Sequence, residues 1–320
     1  MSESNFKNFN HLKIHSQYSI CEGAIKIDDL KDKAKELKIK ALGLCDTANL
    51  CGAIEFSDKI SKVGSQPIIG TQINFRFEDT IGLLPLFALD ENGYKQIIEL
   101  SSKSYLENDK DLDPQLDIND LLKLDNSGIS IFSGTLFGLF GKLFDKGKFS
   151  EITNLYSKLS KSLGDKFYLE IQRHKDLNEV GFEKFNLNQS NNLKIPIIAT
   201  NEVFYLEKNM HEAHDALICI GNKTYINEKN RVKYSSEHYL KSDLEMSELF
   251  ADIPEALENN YSFPLRCSYR PLFSKPILPN ISTSEDGNAS DIIKKDSLNG
   301  LKEKFFKFFN LKSNEIENNK

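Results

Sequence analysis

The chain has 320 residues, enough to bury the core of one large domain together with an appendage. Its 39% hydrophobic and 28% charged residues are ordinary for a soluble globular protein. The formal net charge of −6 argues against a region that grips a nucleic-acid backbone, because phosphate binding needs clustered Lys and Arg. Five cysteines without a C-x-x-C pair indicate neither a disulfide framework nor a structural zinc site. No apolar run is long enough to cross a bilayer, so we expect a cytoplasmic protein without membrane contact.

Short apolar strands alternate with helical patterns along most of the chain. Strands are predicted at 41–45, 67–72, 83–89, 128–133, 166–171 and 194–202, after a first strand that begins at His11. Helices are predicted at 26–38, 51–62, 91–105, 147–163, 176–192, 242–251 and from 254 onward. This alternation is typical of parallel β/α units.

Polar side chains occupy the ends of the first two strands. In a strand at the start of the chain, His11, Lys13 and His15 share one face. Asp46 follows the apolar run 41–45. Two interpretations stay open here: these residues line a polar pocket at the strand ends, or the histidines are satisfied at the edge of the core and Asp46 caps a helix.

Several segments carry a resemblance to a known family. The motif His-Leu-x-x-His-Ser-x-Tyr-Ser begins at His11, and Asp-x-x-Asn-Leu-Cys-Gly-Ala-Ile-Glu-Phe begins at Asp46. Together they resemble the opening of the bacterial replicative DNA polymerase III alpha subunits, which is a PHP (polymerase and histidinol phosphatase) domain. Matching segments recur at 167–174, 198–205 and 240–257.

The resemblance implies an α/β fold, a distorted (β/α)7 PHP barrel with a polar pocket at the C-terminal ends of its strands. It places the PHP domain at residues 1–270. Residues 271–320 would be a linker and the first helix of a truncated polymerase region. The proline-rich stretch after residue 268 and Ser282–Gly287 fit a linker. Leu301, Phe305, Phe308 and Phe309 share one face of a final helix, which fits either a membrane or partner helix, or a packing partner outside this chain.

Metal-dependent members of this family gather His, Asp, Glu and Cys ligands for two or three ions at the strand ends. Carried over by position, their motifs fall on residues that we call the motif pocket: Lys13, His15, Asp46, Thr47, Gln72, Glu202 and Phe204. Weaker local similarity places two more ligand positions near Leu83 and Thr135. Only His15, Asp46 and Glu202 remain plausible ligands, so the pocket is degenerate and we expect no multinuclear site. A single open site of those three residues is the remaining metal alternative.

The resemblance also implies a function. The full-length family members are DNA-directed DNA polymerases that use Mg²⁺ in a core beyond this region, and this chain ends before any trio of palm carboxylates. We therefore expect this chain alone to need no cofactor and to be inactive as a polymerase. Its expected role is a scaffold and docking surface for the proofreading exonuclease subunit and other replicase subunits, with DNA bound through the missing core. The alternative is a free-standing PHP phosphoesterase, which would require the missing ligands.

Lys13 suggests what replaced the metals. A pocket that keeps carboxylates but loses its cations would hold unpaired buried charge, which is costly. The ammonium of Lys13 can supply the missing positive charge. We hypothesise that Lys13 reaches Asp46, Glu202 or both, and that Phe204 and Leu83 fill space that imidazoles occupy in the metal-binding members.

Overall fold

The computed structural model describes residues 8–108, 112–123, 128–276 and 288–309. The chain forms two compact units, Met1–Leu272 and Phe273–Lys320. The expected linker motif Ser282–Gly287 lies outside the described residues. The division of function between the two parts stays a prediction.

Nine strands and eleven α-helices are found in the described residues. The strands are β1 (His11–Ile14), β2 (Ala41–Thr47), β3 (Gln66–Phe77), β4 (Thr80–Ala88), β5 (Gln115–Asp117), β6 (Ile129–Phe132), β7 (Phe167–Ile171), β8 (Ile197–Ala199) and β9 (Glu202–Val203). The helices are α1 (Ile27–Leu37), α2 (Ala53–Lys62), α3 (Glu91–Leu106), α4 (Ile118–Lys123), α5 (Leu139–Asp145), α6 (Phe149–Leu163), α7 (Glu179–Leu193), α8 (His211–Gly221), α9 (Asp243–Leu249), α10 (Pro254–Ser262) and α11 (Ala289–Phe309).

One segment closes the sheet on itself. The strand order is β8-β7-β6-β4-β3-β2-β1-β9, with β5 paired to β3 off this path. The two end strands, β8 and β9, are separated only by Thr200 and Asn201. Because one extended segment pairs with β7 through its first half and with β1 through its second, the sheet curls until its edges meet. Counting β8 and β9 as one position gives the seven strand positions of the expected distorted barrel.

The expectation of purely parallel β/α units is wrong at one strand. β4 runs antiparallel to both β3 and β6, whereas β1, β2, β3, β6, β7 and β8 make parallel pairs. Only Glu78 and Asp79 connect β3 to β4, and so short a connection can join only antiparallel strands. Glu78 has a positive φ of 52°, as a tight turn requires.

The first helix shows why the sequence pattern succeeded for the regular elements. Ile27, Leu30 and Ala34 of α1 are buried, while Asp28 and Asp29 lie in its first turn, where negative charge is favourable.

The helix predicted from residue 176 instead begins at Glu179, after Asn178 in the left-handed region. Residues 172–178 are therefore a loop that follows β7.

The last helix begins well before Leu301, the first residue of the apolar face that the sequence predicted. α11 spans Ala289–Phe309, and its Leu298, Phe306 and Phe308 side chains are exposed. Within its own unit this helix therefore presents apolar side chains to solvent.

Candidate functional site

The strand ends bring most of the motif pocket together. The parallel register of β1 and β9 sets Lys13 opposite Glu202, and that of β2 and β3 sets Thr47 opposite Gln72. His15 follows β1 directly, and its backbone N–H donates to the carbonyl of Val203. Strand pairing, rather than local sequence, thus fixes which polar groups face one another.

Lys13 is a fully buried cation between two buried carboxylates. Its Nζ lies 3.2 Å from Glu202 Oε1 and 3.4 Å from Glu170 Oε1, as ion pairs without an aligned hydrogen bond. Burial disfavours the ammonium, but the charges of Glu170 and Glu202 outweigh burial and raise the pKa of Lys13. The predicted contact of Lys13 with Glu202 is confirmed. Asp46, the other partner that the hypothesis left open, forms no ion pair with Lys13 among the described residues.

Glu202 Oε1 is the centre of a small polar network. Besides the ion pair with Lys13, it accepts a hydrogen bond from Gln72 Nε2 at 2.7 Å and lies 3.2 Å from His15 Nε2. Burial opposes its charge, yet Lys13 and His15 together hold the pKa of Glu202 well below its usual value. For His15, burial is outweighed by the hydrogen bond to Glu202 and the charges of Glu22 and Glu202, which raise its pKa. The raised pKa favours the charged form of His15, which together with Lys13 offsets the negative charge of the two carboxylates.

Asp46 belongs to a separate arrangement. It accepts hydrogen bonds from the Ser16 N–H at 2.7 Å, from Ser16 Oγ at 2.8 Å and from Ser19 Oγ at 2.8 Å. These donors explain why Asp46 needs no lysine. Burial raises the pKa of this carboxyl despite the donors. Asp46 therefore fixes the 16–19 turn after β1, and the sequence interpretation of Asp46 as a helix cap is also wrong.

The neighbouring threonine also serves the local structure. Thr47 donates its N–H to Ser19 Oγ at 3.1 Å and its hydroxyl to Glu22 at 2.5 Å.

Phe204 packs among the histidine rings beside the motif pocket. Its ring lies 4.7 Å from the ring of His15 and 5.3 Å from the rings of His214 and His238. It is almost fully buried, and its replacement of an imidazole stays a prediction. Leu83 is only partly buried, and Thr135 Oγ1 accepts a hydrogen bond from the Phe137 N–H.

His11 is a structural histidine. Its Nε2 contacts the carbonyl of Lys241 at 2.8 Å, and burial lowers its pKa to about 4. His11 is thus a core histidine as the second interpretation expected, but it is only half satisfied, because its buried Nδ1 has no hydrogen-bond partner among the described residues. His15 instead lies in the pocket.

Glu170 is the main pocket residue that the sequence reasoning missed. It is fully enclosed at the centre of β7, and Gln172 and Thr200 donate hydrogen bonds to its Oε1. Burial raises its pKa even though Lys13 favours the charged form. The available signal was a lone carboxylate inside the apolar strand Phe167–Ile171, within a segment that already resembled the family.

The motif pocket does not fit the metal centre of the metal-dependent family members. The Lys13 ammonium already lies against the carboxylate of Glu202, and Thr47, Gln72 and Phe204 offer no imidazole or acid. Among the described residues, the one set of three or more His, Cys, Asp or Glu donors within 4.8 Å of one another is His174, Asp176 and His238, outside the motif pocket. His15, Asp46 and Glu202 therefore do not gather into the alternative three-ligand site.

Comparison with known proteins identifies the class. The sequence profile of the PHP domain matches residues 11–174. The chain therefore belongs to the PHP domain family.

The relatives narrow this assignment. The chain is 33% identical over 315 residues to the DNA polymerase III subunit alpha of Caulobacter vibrioides (strain NA1000 / CB15N), covering 94% of this chain and 27% of the relative. It is 36% identical over 297 residues to the subunit of Rickettsia conorii, covering 92% of this chain and 25% of that protein. It is 34% identical over 319 residues to the subunit of Borreliella burgdorferi, covering 95% of this chain and 27% of that protein. The chain thus spans about a quarter of the length of these curated relatives and corresponds to their PHP region.

Comparison with solved structures also gives a match of low similarity. A putative metal-dependent phosphoesterase from Bifidobacterium adolescentis matches across 60% of this chain and 86% of the phosphoesterase chain, with 11% identity and a TM-score of 0.41.

No helix in the described part of the chain is long and apolar enough to cross a membrane.

Proposed function

We propose that this chain is the PHP region of a replicative DNA polymerase III alpha subunit, and that it acts as a scaffold and docking surface without hydrolase activity of its own. The observation that carries the proposal is the buried ion pairing of Lys13 with Glu170 and Glu202, at a position where metal-dependent members place a ligand. Similarity to DNA polymerase III alpha subunits over more than nine-tenths of the chain supports the replicative assignment.

The physical reason is that a lysine ammonium takes the place of the metal ions as the positive charge in the pocket. Hydrolysis of a phosphoester by this family needs clustered cations that activate a water. Here a lysine ammonium supplies the positive charge, and an ammonium neither coordinates water nor lowers its pKa as a metal does. The pocket therefore stabilises the barrel instead of performing chemistry.

The wider role follows from the family and belongs to the same proposal. In the full-length protein, Mg²⁺-dependent DNA synthesis would take place in the polymerase core, where DNA binds. The barrel would carry the proofreading exonuclease subunit and contact other replicase subunits, in the cytoplasm.

A phosphodiesterase assay tests the absence of hydrolysis. Purified chain with bis(p-nitrophenyl) phosphate and Mn²⁺ or Zn²⁺ is expected to give the rate of a protein-free blank. Turnover that scales with protein and disappears in the His15→Ala variant would instead establish the phosphoesterase alternative. Gel filtration with the exonuclease subunit of the same replicase tests docking, and separate elution at micromolar concentrations would contradict the scaffold role.

A further inference from the structure

Two loops place three metal-ligating side chains together next to the motif pocket. His174 and Asp176 lie on the loop that follows β7, and His238 lies 64 residues further along, on the segment before α9. One donor atom from each lies within 4.8 Å of the other two. Both histidines are buried, and their rings stack at 4.0 Å with an interplanar angle of 5°.

The hydrogen bonds of His238 leave one of its nitrogens unused. Its Nδ1 lies 3.1 Å from the carbonyl oxygen of Glu202, and a carbonyl can only accept, so Nδ1 carries the proton. In the neutral ring with this tautomer, the lone pair of His238 lies on Nε2. This nitrogen is buried, it has no hydrogen-bond partner among the described residues, and it lies 3.5 Å from Asp176 Oδ2.

His174 is oriented in the same way. Its Nε2 lies 3.0 Å from Asn201 Oδ1. The amide orientation of Asn201 is fixed, because its Nδ2 donates to the carbonyl of Tyr239 while Lys241 Nζ approaches its Oδ1 at 3.3 Å. Nε2 of His174 therefore donates to Asn201 Oδ1; in the opposite tautomer it would accept the longer 3.3 Å hydrogen bond that the Glu202 N–H donates. With Nε2 protonated, the lone pair of His174 lies on Nδ1, which is 3.5 Å from Glu179 Oε1.

Histidines that bind metals typically have one ring N–H held by a protein acceptor, so that the other nitrogen is presented as a ligand. Both rings here have that arrangement. A cavity of about 20 Å³ adjoins them, which is room for one water or one ion. Its wall also includes the carboxylates of Glu170, Glu179 and Glu202, which favour a cation over an anion.

We propose that His174, Asp176 and His238 bind one divalent transition-metal ion of the zinc type. Two imidazoles and one carboxylate suit Zn²⁺, Mn²⁺ or Fe²⁺, whereas Mg²⁺ prefers oxygen ligands and retains its waters. Because the rings are stacked in parallel, binding turns one ring toward the ion. The ion ties the loop after β7 to the segment before α9. With this site, the expectation that the chain binds no metal applies only to the motif pocket.

Metal binding by the purified, chelator-treated chain tests this proposal. Titration with Zn²⁺ is expected to reach one ion per chain, and Mg²⁺ is expected not to compete. In a two-dimensional ¹H–¹⁵N spectrum of the six histidine rings, Zn²⁺ should shift the signals of His174 and His238 and leave the other four unchanged. Asp176→Asn keeps the shape of a partly exposed loop side chain and should weaken Zn²⁺ binding about tenfold or more. Asp145→Asn, at an exposed helix end, is the matched control and should bind as the unaltered chain does.

The outcomes separate this proposal from the proposed function. No Zn²⁺ binding, or binding that Asp176→Asn leaves unchanged while its circular dichroism spectrum is native, would overturn the metal site. Zinc-induced shifts on His15 would also overturn it. Two or more ions per chain that shift His15 would count against the degenerate motif pocket. One ion that shifts only His174 and His238 supports the site, whatever the phosphodiesterase assay gives.

Discussion

Replacing Lys13 by Met should destabilise the barrel strongly, because it leaves Glu170 without its buried counterion and Glu202 with His15 alone. At an effective dielectric constant of about 20, charges at 3.2 and 3.4 Å interact by about 5 kcal/mol each before desolvation is counted. The buried ammonium offsets much of that gain through its own loss of hydration. We therefore expect a loss of about 3–5 kcal/mol in the free energy of unfolding, the range for breaking a buried ion pair by removing one partner. Met keeps the length and bulk of the side chain, so cavity formation contributes little.

Urea unfolding followed by circular dichroism at pH 7 measures this loss. The pH dependence adds a second check. Because Lys13 lowers the pKa of Glu202, the ion pair contributes to the free energy of unfolding above the pKa that this carboxyl has in the unfolded chain. That contribution is lost as pH falls through the lower pKa of the folded protein. In the variant, protonation of the carboxylates relieves the unpaired charge, so the deficit should shrink between pH 7 and pH 5.

Two further variants make the result interpretable. Lys62→Met removes an exposed lysine that pairs with Asp58 on the helix surface, and should change the stability by less than about 0.5 kcal/mol. The double variant Lys13→Met/Glu202→Gln removes one stranded charge and should recover part of the loss. A deficit below about 1 kcal/mol for Lys13→Met, or no recovery in the double variant, would refute the electrostatic account of the pocket.

Three other predictions follow from the same structure. His15→Gln should lower the free energy of unfolding more at pH 6 than at pH 9. The pKa of His15 is raised in the folded protein, so its contribution to stability is fully present below the unfolded pKa and is lost as pH rises through the folded value. Equal losses in urea unfolding at both pH values would contradict this. Phe204→Ala should cost about 3–5 kcal/mol by opening a cavity beside His15, whereas Phe306→Ala on the exposed face of α11 should be near neutral, and thermal unfolding compares the two. Amide protons of α11 should exchange faster than those of β2 and β3, because the helix has exposed apolar side chains and isolated helices are marginal; protection equal to that of the strands would show that α11 is packed.

The sequence by itself determined the regular elements and the nature of the motif pocket. Alternating short strands and amphipathic helices gave the α/β class, because burial of one face dictates the pattern of side chains within each element. The resemblance to the PHP family, rather than the side-chain pattern, predicted that Lys13 stands at a ligand position. A lysine among carboxylates at the ends of buried strands has to pair with one of them, and Glu202 is its partner.

Only the tertiary structure decided which groups meet across the sheet. Periodicity assigns a residue to a face but does not give strand order, direction or register, so it could not predict the antiparallel β4. For the same reason the pairing of Glu170 with Lys13 was missed, because these residues are 157 positions apart in the chain and meet through closure of the barrel. The sequence left open whether Lys13 reaches Asp46 or Glu202, because the turn at Ser16–Ser19 supplies Asp46 with local donors that strand patterning does not describe. His174, Asp176 and His238 form one cluster because two distant loops fold over the same strand ends, and a loop's path depends on packing that no local pattern encodes.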